Sequence, residues 1–526
     1  MVEQLWNKWK QKDIEQKIFL LFLFGMAFYY GFRLFALTPW YDELYTYYYF
    51  ISRGPVYAAI HWPLPNNHVG YSVLSAILDF SGSSAIGLRG VSWLSSLISL
   101  CLIFTISRKY FPKGLALLPV FLFASMGIVN QLAVQGRGYA LTSCLYLTAV
   151  FELIRIIKEH GERKRACVVL GCAFIWALYT LPSSVYFVLP LCIAGGTWLL
   201  LEKRWKEFRM LFITAVGSAV CTVFLYALIW LAIGSNLLSK TPDSGCYMQG
   251  HISIILNAPV KAMRTGIRYM LDTPYIQSVG RDGYLGKFAV WLGALFENYY
   301  AGISVFLLVL TGIGVGMILF RLLLESERRN QKSEQRFLEW YLLLTFLLTP
   351  LMLFIQAALP YYRVFSFMGI AVAFLVTWLL AQLSGFIGKK KFFYFIEMLA
   401  GLGCVCFLFS PSGRAQYSGR EAAIEDAYAH MSLQNGETVC VTDCDQEYLM
   451  KYLYDKEDVH PAMGEADYVL LDRELLLTKE EMESRDAAGA DAWKFYVSHE
   501  EIAWDHLAEE MDICYENDRF ILYHKK

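Results

Sequence analysis

The sequence predicts a polytopic α-helical membrane protein that carries a separate α/β domain at its C-terminus. Three observations predict it. The 526 residues are 56% hydrophobic and only 18% charged, with mean hydropathy +0.39, whereas soluble domains run near about 45–50% apolar and about 25% charged. Apolar runs of about 20 residues, the length that crosses a bilayer, recur along the first four-fifths of the chain. The charge is also unevenly divided. Residues 411–526 hold 11 Lys and Arg against 27 Asp and Glu, a net of −16, and the rest holds 35 against 20, a net of +15. This much apolar surface excludes disorder for most of the chain. Because no soluble part is basic, nucleic-acid binding is disfavoured.

Eleven runs are candidate spans: 18–38, 84–107, 114–134, 138–157, 167–182, 183–201, 210–233, 301–322, 337–358, 364–384 and 392–410. The stretch 167–201 reads as two spans, or as one span and a re-entrant piece split at Leu181-Pro182. Orientation follows from the excess of Lys and Arg in cytoplasmic loops. Lys8, Lys10, Lys12 and Lys17 put the N-terminus inside. Alternation then puts inside Arg108-Lys109 with Lys113, Lys158–Arg165, Lys203–Arg209, Arg321–Arg336 and Lys389–Lys391, all of them basic. The segments 39–83, 135–137, 234–300, 359–363 and 411–526 fall outside, with 39–83 and 234–300 as the long loops. The first run is too long for a cleaved signal and has no A-x-A site after it, so it reads as a signal anchor in a plasma-membrane protein.

The domains are therefore 1–410, membrane-embedded, and 411–526, an extracytoplasmic α/β domain. Strands are expected at Glu437–Val441, Tyr468–Leu471, Phe495–Val497 and Phe520–Tyr523, with helices over 445–454 and 501–511. Seven of the 12 cysteines sit in apolar runs as packing residues. Cys246, Cys440, Cys444 and Cys514 are candidates for a disulfide if their compartment is oxidising. Gly312-x-x-x-Gly316, inside a span, reads as a helix-packing face.

The candidate chemistry clusters on one membrane face. Asp42 and Glu43 stand just beyond the first span in TPWYDELYTYYYF (38–50), followed by HWPLPNNHVGY (61–71). A carboxylate at a membrane edge is costly unless it meets water, a partner or a site. The competing reading is an interfacial acidic pair in an aromatic belt of Trp40, Tyr41 and Tyr45. The run Tyr47–Phe50 reads as packing or as a sugar platform. His68 and Tyr71 open a piece, 68–80, too short to cross and expected to lie along the outer surface. Arg137 and Tyr139 lie in QGRGYAL (135–141), at an outer junction of two spans. Tyr361-Tyr362-Arg363 forms a tight outer turn. The fixed fork of Arg suits phosphate, and the competing reading is snorkelling to lipid headgroups.

In this order, an Asp-Glu pair, a His and Tyr before a helix, GLRGVSWLSS (87–96), QGRGYAL and a late Tyr/Arg turn, the sequence resembles the GT-C-fold glycosyltransferases that use polyprenyl-phosphate sugars. It is most similar to the protein O-mannosyltransferase and aminoarabinose lipid A transferase group, over roughly 1–410 and most strongly over 18–157. One departure is that the group's His-Pro-Pro before a Tyr stands here as PLPNNHVGY. The resemblance implies transfer of a sugar from a polyprenyl phosphate to an acceptor hydroxyl of a protein, lipid or cell-envelope glycan, in one inverting displacement. It makes Asp42 the catalytic base, with Glu43 orienting it or touching a substrate, and Arg137 and Arg363 the donor-phosphate ligands. His68, Tyr71, Tyr139, Tyr362, Lys240, Arg264 and Arg268 are accessory candidates. No cofactor is required if arginines hold the phosphate. A divalent ion on Glu43 and His68 is the alternative, although these two do not fill a tetrahedral shell. Rival classes are a headgroup transferase of the same fold, a transporter or flippase with midplane charges, and a non-catalytic scaffold.

Overall fold

The computed structural model describes residues 11–61, 67–158, 163–272, 279–324, 333–387, 390–414, 419–434, 436–456, 459–478, 480–481 and 494–526. Lys8, Lys10, Asn66, Lys389 and parts of the basic loops 158–165 and 321–336 lie outside the described residues. The chain forms two compact units. One comprises Met1–Phe35 and Phe50–Ala415, the other Ala36–Tyr49 and Gln416–Lys526. The expected boundary at 410 left 39–49 with the membrane domain, whereas the structure joins 36–49 to the C-terminal unit. The reason is packing, since Leu44 is fully buried in one core with Tyr428, Val439, Leu449, Leu470 and Leu522.

In chain order the helices of the first unit are α1 (Ile14–Ala36), α3 (Pro55–Ile60), α4 (Val69–Asp79), α5 (Ser84–Tyr110), α6 (Leu118–Ala124), α7 (Gly127–Leu132), α8 (Tyr139–Lys158), α9 (Arg163–Thr180), α10 (Val185–Leu201), α11 (Trp205–Lys240), α12 (His251–Asn257), α13 (Pro259–Asp272), α14 (Tyr284–Tyr299), α15 (Ser304–Leu324), α16 (Ser333–Gln356), α17 (Ser366–Ile387), α18 (Lys390–Phe409) and α19 (Pro411–Arg414). Helix α2 (Tyr41–Thr46) belongs to the second unit. Among the described residues, nine helices are long and apolar enough to cross a membrane: α1, α5, α8, α10, α11, α15, α16, α17 and α18.

Two of the eleven expected spans take another form. The run 114–134 is a turn followed by two short helices, α6 and α7. Gly114 has φ +92°. The carboxylates of Glu15 and Glu397, both buried, accept the Gly114 and Leu117 N–H groups at 2.7 and 2.6 Å. Ser125 at the end of α6 turns its hydroxyl back onto the Phe121 carbonyl. The second run, 167–182, is α9, which starts on three basic residues and so has a short apolar stretch. It is a separate helix from α10. Leu181 is extended, as the residue before a proline prefers, and Pro182–Ser184 forms a 3₁₀ turn between them.

Glycines decide where these helices approach one another, and not always the expected ones. Gly312 and Gly316 face open space, whereas a Cβ on Gly314 would meet the Leu375 side chain at 2.9 Å. The close approach therefore falls on the residue between them. The tightest crossing joins α11 to α13. A Cβ on Gly234 would stand 1.8 Å from the Ala262 carbonyl oxygen, and one on Gly266 would stand 2.1 Å from that of Trp230. These two backbones touch.

The second unit builds a four-stranded sheet of order β1-β2-β4-β3, with β1 (Val439–Val441), β2 (Tyr468–Asp472), β3 (Met511–Glu516) and β4 (Phe520–Lys525). β1 and β2 are parallel; β4 runs antiparallel to both β2 and β3. Its helices are α2, α20 (Gly419–Tyr428), α21 (Cys444–Tyr454) and α22 (Trp504–Glu510). The expected strand at 495–497 is reduced to one bridge, Phe495 to Asp443. The fourth strand is β3, at a stretch expected to be the end of a helix or unassigned. It is an edge strand and mostly exposed, so it lacks a buried alternating face by which to be recognised. All 12 cysteines are free thiols, so the suggested disulfide does not form. The tyrosine run packs within this unit, with Tyr48 stacked on Tyr448 at 5.9 Å and Tyr47 edge-on to Tyr452 at 6.2 Å.

At the C-terminal ends of the parallel strands, Arg420 is buried among three carboxylates. Its guanidinium donates to Asp443 at 2.6 Å, to Asp472 at 2.9 Å and to Asp445, which Lys494 also holds at 3.0 Å. Asp443 also caps α21 through the Asp445 and Gln446 N–H groups. Burial raises its carboxyl pKa, and Arg420 opposes the rise. Removing one partner from such a network strands the others. Arg420→Ala should destabilise this unit by about 3–5 kcal/mol, read as faster hydrogen exchange across β1, β2 and β4, while exchange in α5 and α8 stays slow. Unchanged protection of the sheet would mean that the network contributes little.

Candidate functional site

In the first unit four predicted site residues converge: His68, Arg137, Tyr139 and Arg363. His68 is the N-cap of α4, and its carbonyl accepts the Ser72 N–H at 2.9 Å. Asn67 fixes the approach to this helix. Its amide donates to the Ala58 and His61 carbonyls, and its Oδ1 accepts from Ser72. Arg137 lies on the tight turn between α7 and α8, where its N–H donates to the Gln135 carbonyl at 2.7 Å. Ser92 of α5 ties this turn down by donating to the Gln135 and Arg137 carbonyls. Tyr139 begins α8. Arg363 lies in the 3₁₀ turn Tyr362–Phe365, its guanidinium 5.7 Å from the Tyr139 ring centre and 4.7 Å from that of Tyr361.

His68 is 3% exposed, as is Arg137. The His68 ring meets Tyr139 edge-on at 5.0 Å. Its Nδ1 lies 2.8 Å from the Gly138 backbone N, and its Nε2 lies 3.1 Å from the Arg137 guanidinium. Both neighbours are donors only. A neutral imidazole offers one lone pair and carries one hydrogen, so three hydrogens face two ring nitrogens. Whichever nitrogen is protonated, one donor still faces another donor. Adding a second ring proton makes this worse, and burial with the nearby Arg137 and Arg363 holds the His68 pKa well below its ordinary value. Two guanidinium groups and a neutral imidazole are thus drawn together in one buried place.

Small residues make the cluster possible. A Cβ on Gly138 would meet Thr180 Cγ2 at 2.5 Å and His68 Nδ1 at 3.2 Å, and one on Gly70 would meet Thr180 Oγ1 at 2.5 Å. Thr180, at the end of α9, is thus wedged between the two segments that carry His68 and Arg137. The GLRG part of the third motif has the same logic, since a Cβ on Gly87 would lie 2.2 Å from Asp79 and one on Gly90 would lie 2.9 Å from Leu78. Arg89 anchors α5 to the end of α1 by donating to the Leu34 carbonyl.

The other predicted residues divide. Tyr71 is fully buried and donates to the Leu88 carbonyl at 2.5 Å, so it braces α4 against α5. Tyr362 packs against Trp291 at 6.0 Å. Lys240, Arg264 and Arg268 are exposed on α11 and α13, and Arg268 pairs with Asp272. Asp42 and Glu43 belong to the second unit, in the first turn of α2. Glu43 is buried, and its carboxylate accepts the Trp40 N–H at 3.2 Å, which caps the helix. Among the described residues, no group of three or more His, Cys, Asp and Glu side chains is placed to hold a metal ion. A divalent cation on His68 fits poorly beside Arg137 and Arg363.

Sequence reading missed how the Arg363 turn is held. Three aromatics on one face of α14 grip it: Tyr284 donates to the Ala358 carbonyl, Trp291 to that of Pro360 and Tyr299 to that of Phe365. Their spacing of seven and eight residues is the signal that marks a common helical face.

The fold and site thus define a polytopic helical protein with a cation-rich polar cluster and an additional α/β unit. Residues 69–230, which include Arg137 and Tyr139, match the family model described as dolichyl-phosphate-mannose-protein mannosyltransferase. No curated protein matches the chain by sequence. Among solved structures the chain is similar to the oligosaccharyltransferase AglB of Archaeoglobus fulgidus in complex with an inhibitory peptide and a dolichol-phosphate. That match has 11% identity and a TM-score of 0.44, covering 88% of this chain and 70% of the other. It is also similar to ArnT of Cupriavidus metallidurans bound to undecaprenyl phosphate, at 14% identity and a TM-score of 0.39, covering 96% and 97%.

The depressed basicity of His68 has a measurable sign. Below the ordinary histidine value of 6.5 the unfolded chain takes up a proton that the folded site refuses, so stability falls as pH drops through that value. Wild-type protein should lose thermal stability between pH 7 and 5 more steeply than His68→Gln. Parallel pH profiles for the two would show that His68 protonates freely in the fold.

Proposed function

We propose that the chain is a membrane glycosyltransferase that moves a sugar from a polyprenyl-phosphate donor to an acceptor hydroxyl, with inversion at the anomeric carbon. The observation that carries this reading is the convergence of two arginines, Arg137 and Arg363, with His68 and Tyr139. Paired guanidinium groups suit the acceptor oxygens and negative charge of a lipid phosphate. The family model over 69–230 is described by a lipid-phosphate sugar donor, which supports the same reading.

In the reaction the acceptor oxygen attacks the sugar's anomeric carbon. The bond from that carbon to the phosphate oxygen breaks, and its electron pair leaves on the lipid phosphate. The hydroxyl proton passes to Asp42, the base assigned by family resemblance. Arg137 and Arg363 meet the charge that grows on the departing phosphate. Glu43, committed to capping α2, acts by orienting its neighbour. Arginines serve the leaving group directly, so no step is assigned to a metal. The basic loops, including Lys203–Arg209, support a cytoplasmic N-terminus, transfer on the outer face of the plasma membrane and an extracytoplasmic C-terminal unit.

Donor binding and turnover by purified protein test this together. Arg137→Ala and Arg363→Ala should each weaken donor-lipid affinity by roughly ten- to a hundredfold, the range for a lost charge-assisted contact, and Lys should restore it only partly. Asp42→Asn should keep donor affinity and lose about two to four orders of magnitude in turnover. Robust transfer by Asp42→Asn would end the assignment of the base. Unchanged affinity in both arginine variants would move the phosphate elsewhere.

A further inference from the structure

A cavity of about 450 Å³ lies in the first unit, between α3, the end of α11, α12 and α13. None of the four clustered site residues lines it. Ile60, Ile233, Leu237, Ile252 and Ile255 make its walls mostly apolar. Its polar lining comprises Tyr57, His61, Ser235, Asn236, His251 and Tyr269, with no acidic side chain.

Two cations act on its rim. Arg53 donates to the Tyr57 hydroxyl at 3.0 Å and lies over that ring, which stacks on His61 at 4.3 Å. Lys240 stands one helical turn beyond Asn236, which lines the cavity, and burial first, then the charges of Arg53 and Lys240, lower the basicity of His61. Around the cavity, residues 234–272 carry Lys240, Lys261, Arg264 and Arg268 against Asp243 and Asp272.

The depth of the cavity follows from α11. Its 36 residues span about 54 Å at 1.5 Å per residue, well beyond the roughly 30 Å hydrocarbon core. The apolar run from Met210 ends at Ile233, and Ser235 and Asn236 follow. Both ends of that transition, Ile233 and Asn236, line the cavity. The Gly234–Ala262 and Gly266–Trp230 backbone contacts lock α13 beside the same transition. The cavity therefore lies where hydrocarbon gives way to headgroups, with apolar walls and positive charge at its rim.

We propose that this cavity is a binding site for one anionic phospholipid of the surrounding leaflet, its acyl chain between α11 and α12 and its phosphate facing Arg53, His61 and Lys240. The complementarity of charge selects the headgroup. A zwitterionic lipid brings its own ammonium to a rim that already carries two cations. The site is separate from the His68 cluster, so its failure leaves the proposed sugar transfer standing.

The test uses the full chain in nanodiscs of phosphatidylcholine with a minor fraction of phosphatidylglycerol, with retained lipids counted by native mass spectrometry after delipidation. Wild type should retain one phosphatidylglycerol in preference to phosphatidylcholine. Arg53→Gln combined with Lys240→Gln should lose that preference by tenfold or more. Ala232→Trp, which fills the cavity from α11, should lose the bound lipid while the rim charges remain. Equal retention of the two lipids by wild type would overturn the site. So would undiminished phosphatidylglycerol binding in Ala232→Trp, or displacement of the lipid by undecaprenyl phosphate in proportion to donor binding, which would assign the cavity to the donor.

Discussion

The contact on which the site depends is that of one imidazole with two donors. Gly138 N–H and the Arg137 guanidinium approach the two nitrogens of His68 at 2.8 and 3.1 Å, and a neutral ring satisfies only one of them. The ring therefore takes the Gly138 N–H on one nitrogen and keeps its own hydrogen on the side of Arg137. The same feature explains why His68 serves better as a neutral partner than as a proton carrier. Protonation would set two ring hydrogens against two donors.

What holds the arrangement is close packing on small residues. Thr180 occupies the space left by the missing side chains of Gly70 and Gly138, so α9 fixes the distance between the start of α4 and the 135–138 turn. Ser92 holds that turn from α5, and three aromatics of α14 hold the turn of Arg363. Three separate stretches of chain, at His68, Arg137–Tyr139 and Arg363, thereby deliver their side chains to one place. The charged cluster of the second unit follows the opposite rule. There Arg420, Lys494 and three aspartates pair with one another, charge against opposite charge.

Much of the site is legible in the sequence because membrane topology narrows where a polar residue can go. Arg137 and Arg363 stand at the ends of apolar runs on the same predicted face, so their convergence with His68 and Tyr139 follows from alternation of the spans. The spans are legible for the same reason, apart from two. The break in 114–134 depends on Glu15 and Glu397, 99 and 280 residues away from the groups they accept, and no local pattern announces such caps. The attachment of 36–49 to the C-terminal unit is equally non-local, because Leu44 reads as one more loop residue until its partners in the sheet are known. The bond that Tyr71, an accessory candidate, makes to the Leu88 carbonyl joins two helices 17 residues apart in sequence and is not written in either alone. Edge strand β3 offers no buried alternation to read.

The central claim is that the donor's lipid phosphate binds at the His68 cluster, and histidine nitrogen NMR of the full chain tests it most directly. Nine histidines are present, and a His68→Gln sample identifies the His68 signals by difference. On addition of undecaprenyl phosphate the account predicts a neutral ring before and after, with a hydrogen-bond shift at Nε2 as a phosphate oxygen takes its place between the ring and Arg137. A His68 spectrum that is unmoved by saturating lipid phosphate, in protein that transfers sugar normally, would contradict it.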